Sequence, residues 1–426
     1  MITPSDLAAE CGKPAKTDLG SRVSTLPPAA FRCQLENRFA SLDSLREAWD
    51  QAATELGGSV YLSYDWTRTW WEFYGAGKEL RLFLFWAGSR IVGVVPVYID
   101  SLGWGPLRFR IARLVGANIP PKVFNPPVHA DWANRIFEAI LVQLFEQDGC
   151  DVLSFGPVSE LQKSIGILEA FCRERSDLVG TFEVAESVHS VFWLPPNMED
   201  YFVALSKNER KNRRKYELRL LKKEYDTQVE VLSDPAKATE EFEHFARQHA
   251  QQWRAEGKTG HFGAWPRALE FNRALVRAQG RLGRLRFIRI LANDEVIANQ
   301  YLFAFGDTYY WELPARAVGP QWERFSLGPT GIVTMIDAGI REGKVRLEGG
   351  LAHYEYKVRL GAKEYAVKTM RIAARRAGAR WRVCVFGLLR SCVGLLYHKI
   401  WYRRIAPRLP SVFWRPQWML WLRLDF

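Results

Sequence analysis

Histidine and cysteine are scarce in this chain of 426 residues, with seven of the first and six of the second. Cys11, Cys33, Cys150, Cys172, Cys384 and Cys392 are widely scattered, none sits in a CxxC pair, and no His/Cys cluster has zinc-ligand spacing. That excludes a zinc ribbon or a disulfide framework; the expectation is reduced thiols and no metal centre. Also missing are a GxSxG elbow, a GxxxxGKS/T loop and a GxGxxG fingerprint. A serine-hydrolase triad, nucleotide hydrolysis and dinucleotide redox chemistry are set aside accordingly. No basic segment followed by an apolar run opens the chain, and no stretch reads as the ~18 apolar residues of a membrane span. The expected location is the cytoplasm.

What is present is a soluble, core-forming composition, 48% hydrophobic and 25% charged. The 17 tryptophans favour large apolar pockets or interfaces, and the net charge of +12 suits an anionic partner. Candidates are nucleic acid, an acidic lipid surface or a phosphate-bearing small molecule.

Residues 1–35 have no clear period and read as a flexible leader. Helical spacing then places helices over 41–56 and from residue 65, and the period shifts to paired strands over 79–99 around Gly88-Ser89. Further strands are expected at 107–115 and 151–155, with a helix between them. After "HSVFWLPP" (189–196) comes a single basic helix over 199–224, then a strand at 228–233 and helices at 235–256 and 266–279. A meander over 284–315, a helix at 328–343 and strands at 344–348 and 365–375 follow. The segments "FLFWAGSRIVGVVPVY" and "FIRILANDEVIANQYLF" share one layout, which indicates a duplicated α/β unit. The expected fold class is mixed α/β, with largely antiparallel sheets. The division is a leader (1–35), an N-terminal domain (36–188), a C-terminal domain (189–378) and a basic, Trp-rich tail (379–426).

Four features can carry chemistry. In "RFSLGPTGIVTMIDAGI" (324–340), Ser326, Leu327, Gly328 and Gly331 stand at a helix entry. Unpaired N–H groups and the positive end of the helix dipole attract anions there; the plainer reading is that Ser326 caps the helix and the glycines shape a turn. The basic stretch 205–223 carries Arg210, Arg213 and Arg214 outward on an apolar seam of Phe202, Leu205, Tyr216 and Leu220, to meet either an anionic ligand or solvent. Glu312 and Glu348 end strands, where a base for an amine or hydroxyl is well placed, though a solvated carboxylate is equally ordinary there. Tyr356 and Lys357, in "LEGGLAHYEYKVRLGA", can donate to a substrate carbonyl or hold a phosphate; otherwise they are a packed tyrosine and a surface lysine.

"LSKNERKNRRK", "VIANQYLFAFGDTYYWELPA", the helix after "SLGPTG" and the closing "RLEGG" and "YEYKVRLGA" resemble the GNAT-type acyltransferase domain of CelD-like proteins, linked to cellulose and exopolysaccharide synthesis. These are related to Fem-type peptidoglycan aminoacyl transferases, which carry two GNAT-like units in tandem. The resemblance covers 190–375 and extends to 40–188 through the hairpin. It implies two tandem GNAT-like acyl-CoA N-acyltransferase domains, with acyl-CoA as a co-substrate rather than a permanent cofactor. It implies donor pyrophosphate at Ser326–Gly331, where the order Ser-Leu-Gly-Pro departs from the family's small residue, Pro and Gly. It also implies catalytic roles for Glu348, Tyr356, Lys357 and Glu312, with Glu348 where the family often has Asp. The transfer would be direct, without a covalent enzyme intermediate.

Three functions follow. The first is acyl transfer to an amine or hydroxyl of a small-molecule or sugar acceptor in exopolysaccharide or cell-envelope biosynthesis. The second takes its donor from aminoacyl-tRNA, which the basic stretch suits although the Fem-type coiled-coil insertion is absent. The third is a non-catalytic GNAT-like scaffold at the inner membrane face. There the tail over 380–426, with nine Lys or Arg against Asp425 alone, would make a peripheral contact; the plain alternative is a pair of packed helices.

Overall fold

A computed structural model describes residues 30–117, 119–258, 260–405, 408–409 and 423–424. The expectations for residues 1–29 and for Trp414, Trp418 and Trp421 lie outside the described residues. The first half runs β1 (Phe31–Glu36), α1 (Arg46–Glu55), α2 (Tyr64–Tyr74), β2 (Glu79–Ala87), β3 (Arg90–Leu102) and β4 (Phe109–Leu114). It continues through α3 (Ala133–Val142), β5 (Val152–Ser159), α4 (Lys163–Glu174) and β6 (Val179–Trp193). Helix α2 forms because Trp66, Trp70 and Tyr74 recur at helical spacing and are buried on one side. β1 corrects the reading of a leader through residue 35, since Phe31–Glu36 pairs with β2. A short edge strand with no fully buried residue leaves too weak a pattern to announce itself.

The second half opens with α5 (Met198–Ala204), α6 (Lys207–Arg210) and α7 (Arg213–Tyr216), then β7 (Thr227–Leu232), α8 (Ala238–Ala255), α9 (His261–Ala264) and α10 (Ala268–Arg281). Strands β8 (Leu285–Ala292), β9 (Glu295–Phe305) and β10 (Thr308–Arg316) lead through α11 (Pro320–Glu323) into α12 (Leu327–Arg341). Then come β11 (Arg346–Leu351), α13 (Glu355–Arg359), β12 (Lys363–Ala374) and α14 (Ala377–Leu395). The single helix expected over 199–224 is broken into short pieces. Leu205 is extended, the Ser206 hydroxyl accepts from Glu209 N, and Leu218 takes a positive φ of 61°. A run of like charges opposes a continuous helix, and Ser206 offers its backbone a competing cap.

The twelve strands form one sheet in the order β1-β2-β3-β4-β5-β12-β6-β11-β10-β9-β8-β7. Its pairs are antiparallel except β4 with β5 and β10 with β11. The two expected hairpins both form around two-residue turns, Ala87 opposite Arg90 and Ala292 opposite Glu295. Asn293 and Asp294 both take positive φ, as a tight hairpin turn requires. Each half sends its last strand across the middle. β6 leaves the first half to pair with β11, and β12 leaves the second half to pair with β5. The two exchanged strands pair with each other from Lys363↔Val191 to Ala374↔Val179. One buried cluster likewise spans both halves, and Trp66 of α2 meets Phe271 of α10 edge-on at 5.8 Å.

A further correction concerns the tail. The helix Ala377–Trp401 runs 25 residues and is long and apolar enough to cross a membrane by length and composition. Arg390 interrupts it, so a search for an unbroken apolar run passes over it. Trp381, Leu388, Leu395 and Leu396 are exposed along it.

The exchange predicts that the halves unfold together. Met370 of β12 is fully buried between Phe155 and Val184. Met370→Ala is expected to cost about 2–5 kcal/mol and to lower one calorimetric transition as a whole. Two transitions of which only one moves would contradict this.

Candidate active site

The parallel pairing of β10 with β11 ends at Tyr310 and Glu348, although both strands run on. Past that point β10 is irregular against β9 between Trp311 and Leu313, and Glu312 has no partner in the register. β11 is irregular against β6 between Glu348 and Leu351. Bulges of this kind re-aim side chains. The second one needs its glycines: Gly350 has φ +84°, and a Cβ on Gly349 would lie 3.0 Å from the Ser190 carbonyl oxygen. Glu312, Glu348 and the Gly349 carbonyl thus stand where the two strands part.

Three sets of polar contacts converge on this point. Glu348 Oε1 lies 2.8 Å from His189 Nδ1, and His189 Nε2 lies 2.8 Å from Ser159 Oγ. With Glu348 ionised, Nδ1 carries the proton and Nε2 accepts from the serine hydroxyl. Glu312 Oε1 accepts from the Tyr61 hydroxyl at 2.8 Å, and Lys122 Nζ is 3.0 Å from its Oε2. Lys357 Nζ donates to the Gly349 carbonyl at 2.7 Å and lies over the rings of Tyr354, at 4.4 Å, and Trp311, at 5.5 Å.

The electrostatics follow from burial. Lys357 is 4% exposed. Desolvation brings its ammonium down to about 8, with Glu348 opposing the shift and Lys122 adding to it. Burial raises the Tyr61 hydroxyl well above its ordinary value, and the Glu312 and Glu348 carboxylates push the same way. His261, 3.2 Å from His249, falls to about 4 through burial, the neighbouring imidazole and Lys122. A lysine titrating near 8 beside carboxylates can exchange protons at neutral pH, which an ordinary lysine cannot do.

Of the expected catalytic residues, Glu312, Glu348 and Lys357 are brought together. Lys357 is not the surface side chain of the plain reading. Tyr356 packs instead on the core that holds Phe192 and Tyr201, 5.6 Å from the Tyr354 ring, and burial pushes its hydroxyl up to about 12. At the entry to α12, Ser326 sits in the left-handed region and its side chain makes no cap bond, so the plain capping reading is corrected. Leu327 is buried, Gly328 faces open space, and Gly331 lets Gln300 approach, since a Cβ there would meet its Nε2 at 2.3 Å. Arg213 pairs with Glu199 and Glu217, Arg210 donates to the Val203 carbonyl, and both line a surface hollow of about 380 Å³ with Arg214. That hollow shares no residue with the carboxylate cluster.

Tyr61, Lys122, Ser159 and His189 escaped the sequence reading. Tyr61 and Glu312 are 251 positions apart, His189 and Glu348 159, so no local pattern signals either contact. Ser159–His189–Glu348 has the connectivity of a triad that the sequence did not suggest. Ser159 is fully buried, however, and so orients the imidazole rather than meeting a substrate.

The family comparison bears on the same stretch. Residues 207–358 match the acetyltransferase (GNAT) domain family. The matched segment holds Glu312, Glu348 and Lys357. Among solved structures, FemX aligns over 76% of this chain and 95% of its own at 11% identity, with a TM-score of 0.54. A protein of unknown function from Bacteroides thetaiotaomicron aligns over 80% of this chain and 100% of its own, at 12% identity and a TM-score of 0.47. L-PGS from Bacillus licheniformis aligns over 80% and 95%, at 11% and 0.45. No curated protein matches in sequence. The likeness to FemX is one of fold: a mixed α/β chain with a large, mostly antiparallel sheet.

Lys357 gives a pH test. Its ammonium is near 8 in the folded chain and at the ordinary 10.5 once exposed. Between those values the unfolded chain binds more protons, so stability rises with pH. Lys357→Met removes that rise. Its stability relative to the parent, from urea unfolding, should fall by at most about 3 kcal/mol between pH 7 and pH 10.5. A difference independent of pH would contradict the assignment.

Proposed function

We propose that the protein is an acyltransferase that moves an acyl group from acyl-CoA to an amine or hydroxyl of a small-molecule or sugar-type acceptor, in exopolysaccharide or cell-envelope biosynthesis of the CelD-like kind. The observation that carries this reading is buried Lys357, bonded to the Gly349 carbonyl and within electrostatic reach of Glu348, near where β10 and β11 part. Both strands lie within the matched GNAT segment. Glu348, fixed by His189, takes the proton of the acceptor as its nitrogen or oxygen attacks the thioester carbonyl. The backbone N–H of Glu312, out of register with β9, serves the developing oxyanion. The C–S bond then breaks, and Lys357 gives its proton to the departing thiolate. A lysine near 8 is well matched to a thiol, whose ordinary pKa is about 8.5. The first turn of α12, at Leu327 and Gly328, would face the donor diphosphate, with Gly328 leaving room for it.

The protein would act in the cytoplasm, with the exposed apolar side of the helix Ala377–Trp401 against the inner membrane face. A second reading, an aminoacyl-tRNA donor, is supported by the fold shared with FemX and by the basic run 207–223. A non-catalytic scaffold is the third.

The test is a donor screen with acyl-CoAs of varied chain length, read as release of free CoA in the presence of amine and sugar acceptors. At least one acyl-CoA should turn over, and Glu348→Gln and Lys357→Met should each lower kcat by about 100-fold or more. Turnover unaffected by both variants would overturn the assigned roles. No turnover, with steeply salt-dependent tRNA binding, would transfer the assignment to the second reading. Silence in both assays would leave the scaffold.

A further inference from the structure

The first half contains a cavity of about 260 Å³ that shares no residue with the carboxylate cluster. Its walls are largely apolar, formed by Trp70, Phe73, Tyr74, Tyr98 and Ile119. Trp70 and Tyr98 lie 5.1 Å apart, ring to ring. Four cations also line it, Lys78, Arg113, Arg267 and Arg423, against one carboxylate, Asp100. That carboxylate is already engaged, because Arg423 holds it through two hydrogen bonds of 3.0 and 2.8 Å. Arg113 is 2% exposed; its Nη2 donates to the Arg423 carbonyl at 2.7 Å, and its Nε has no partner among the described residues. A guanidinium so buried costs stability unless an anion or acceptor meets it. The Lys78 amine nearby is lowered by burial, and Arg423 and Arg113 repel its charge while Asp100 opposes the shift. Among the described residues the cavity is therefore short of negative charge and rich in aromatic surface.

We infer that this cavity is a binding site for a small amphipathic anion, a carboxylate or phosphate head on an aromatic or short alkyl body. The head group meets Arg113 and Lys78, and the body packs on Trp70 and Tyr98. Guanidinium matches either head in a two-pronged geometry. Arg423 keeps Asp100 from competing for the same cations. Pro266 and Arg267, which precede α10 of the second half, close one side, so an occupant would touch both halves of the chain.

Isothermal titration of the full chain with hexanoate, benzoate, phenyl phosphate and uncharged hexan-1-ol tests this. At least one anion should bind with unit stoichiometry and hexan-1-ol should not. Binding by the carboxylates alone identifies that head group, and binding by phenyl phosphate alone identifies the other. Arg113→Met should weaken binding by at least about tenfold. Lys78→Met, at a half-buried position that the fold tolerates more readily, should weaken it by less. The inference is overturned if no anion binds, if hexan-1-ol binds as tightly as hexanoate, or if both variants bind like the parent.

Discussion

The pairing of β6 with β12 is the contact on which the rest of this structure hangs. Each strand belongs by sequence to one half and by hydrogen bonding to both. Their shared ladder turns two sheets into one of twelve strands. It also puts Ser159 of β5, His189 of β6 and Glu348 of β11 in a line across the middle, with β12 threaded between the first two. His189, on the strand that crosses between the halves, joins Ser159 of the first half to Glu348 of the second. Tyr61 and Lys122 likewise reach Glu312 only because the halves close on each other.

That closure places charges in a poorly solvated region. Glu312 is met by a cation and a hydroxyl, and Glu348 by an imidazole that is itself anchored. Lys357 differs in kind. One carbonyl and two ring faces receive its ammonium, and burial outweighs the attraction of Glu348. A group held this way lies close to its own titration point, so it can move a proton at little cost. Arg113, in the first half, is also buried, and its Nε has no partner among the described residues, which is the basis for expecting a ligand beside it.

Much of the fold was legible because period separates strands from helices. The two hairpins, α2, α8, α10 and α12 all carry clear repeats and stand close to where the sequence places them. Although the structure sets Glu312 inside β10, Glu348 inside β11 and Lys357 on α13 rather than at strand ends, all three were open to naming as candidates from the sequence. Their partners were not: Tyr61, Lys122, Ser159 and His189 look like ordinary strand and loop residues until the ladder is closed. Local chemistry also misled in places. The basic run 207–223 looks helical by composition, yet Ser206 and repulsion between like charges break it. Tyr356 shares a motif with Lys357, but on a helical turn adjacent residues face different ways, and it faces the core.

Hydrogen exchange with and without acetyl-CoA shows whether the donor is held where β10 parts from β11. On adding the thioester, exchange should slow at the non-proline amides of 311–316, 327–331 and 349–358. Protection confined to the basic stretch 207–223, or no protection between 311 and 358, would contradict that placement.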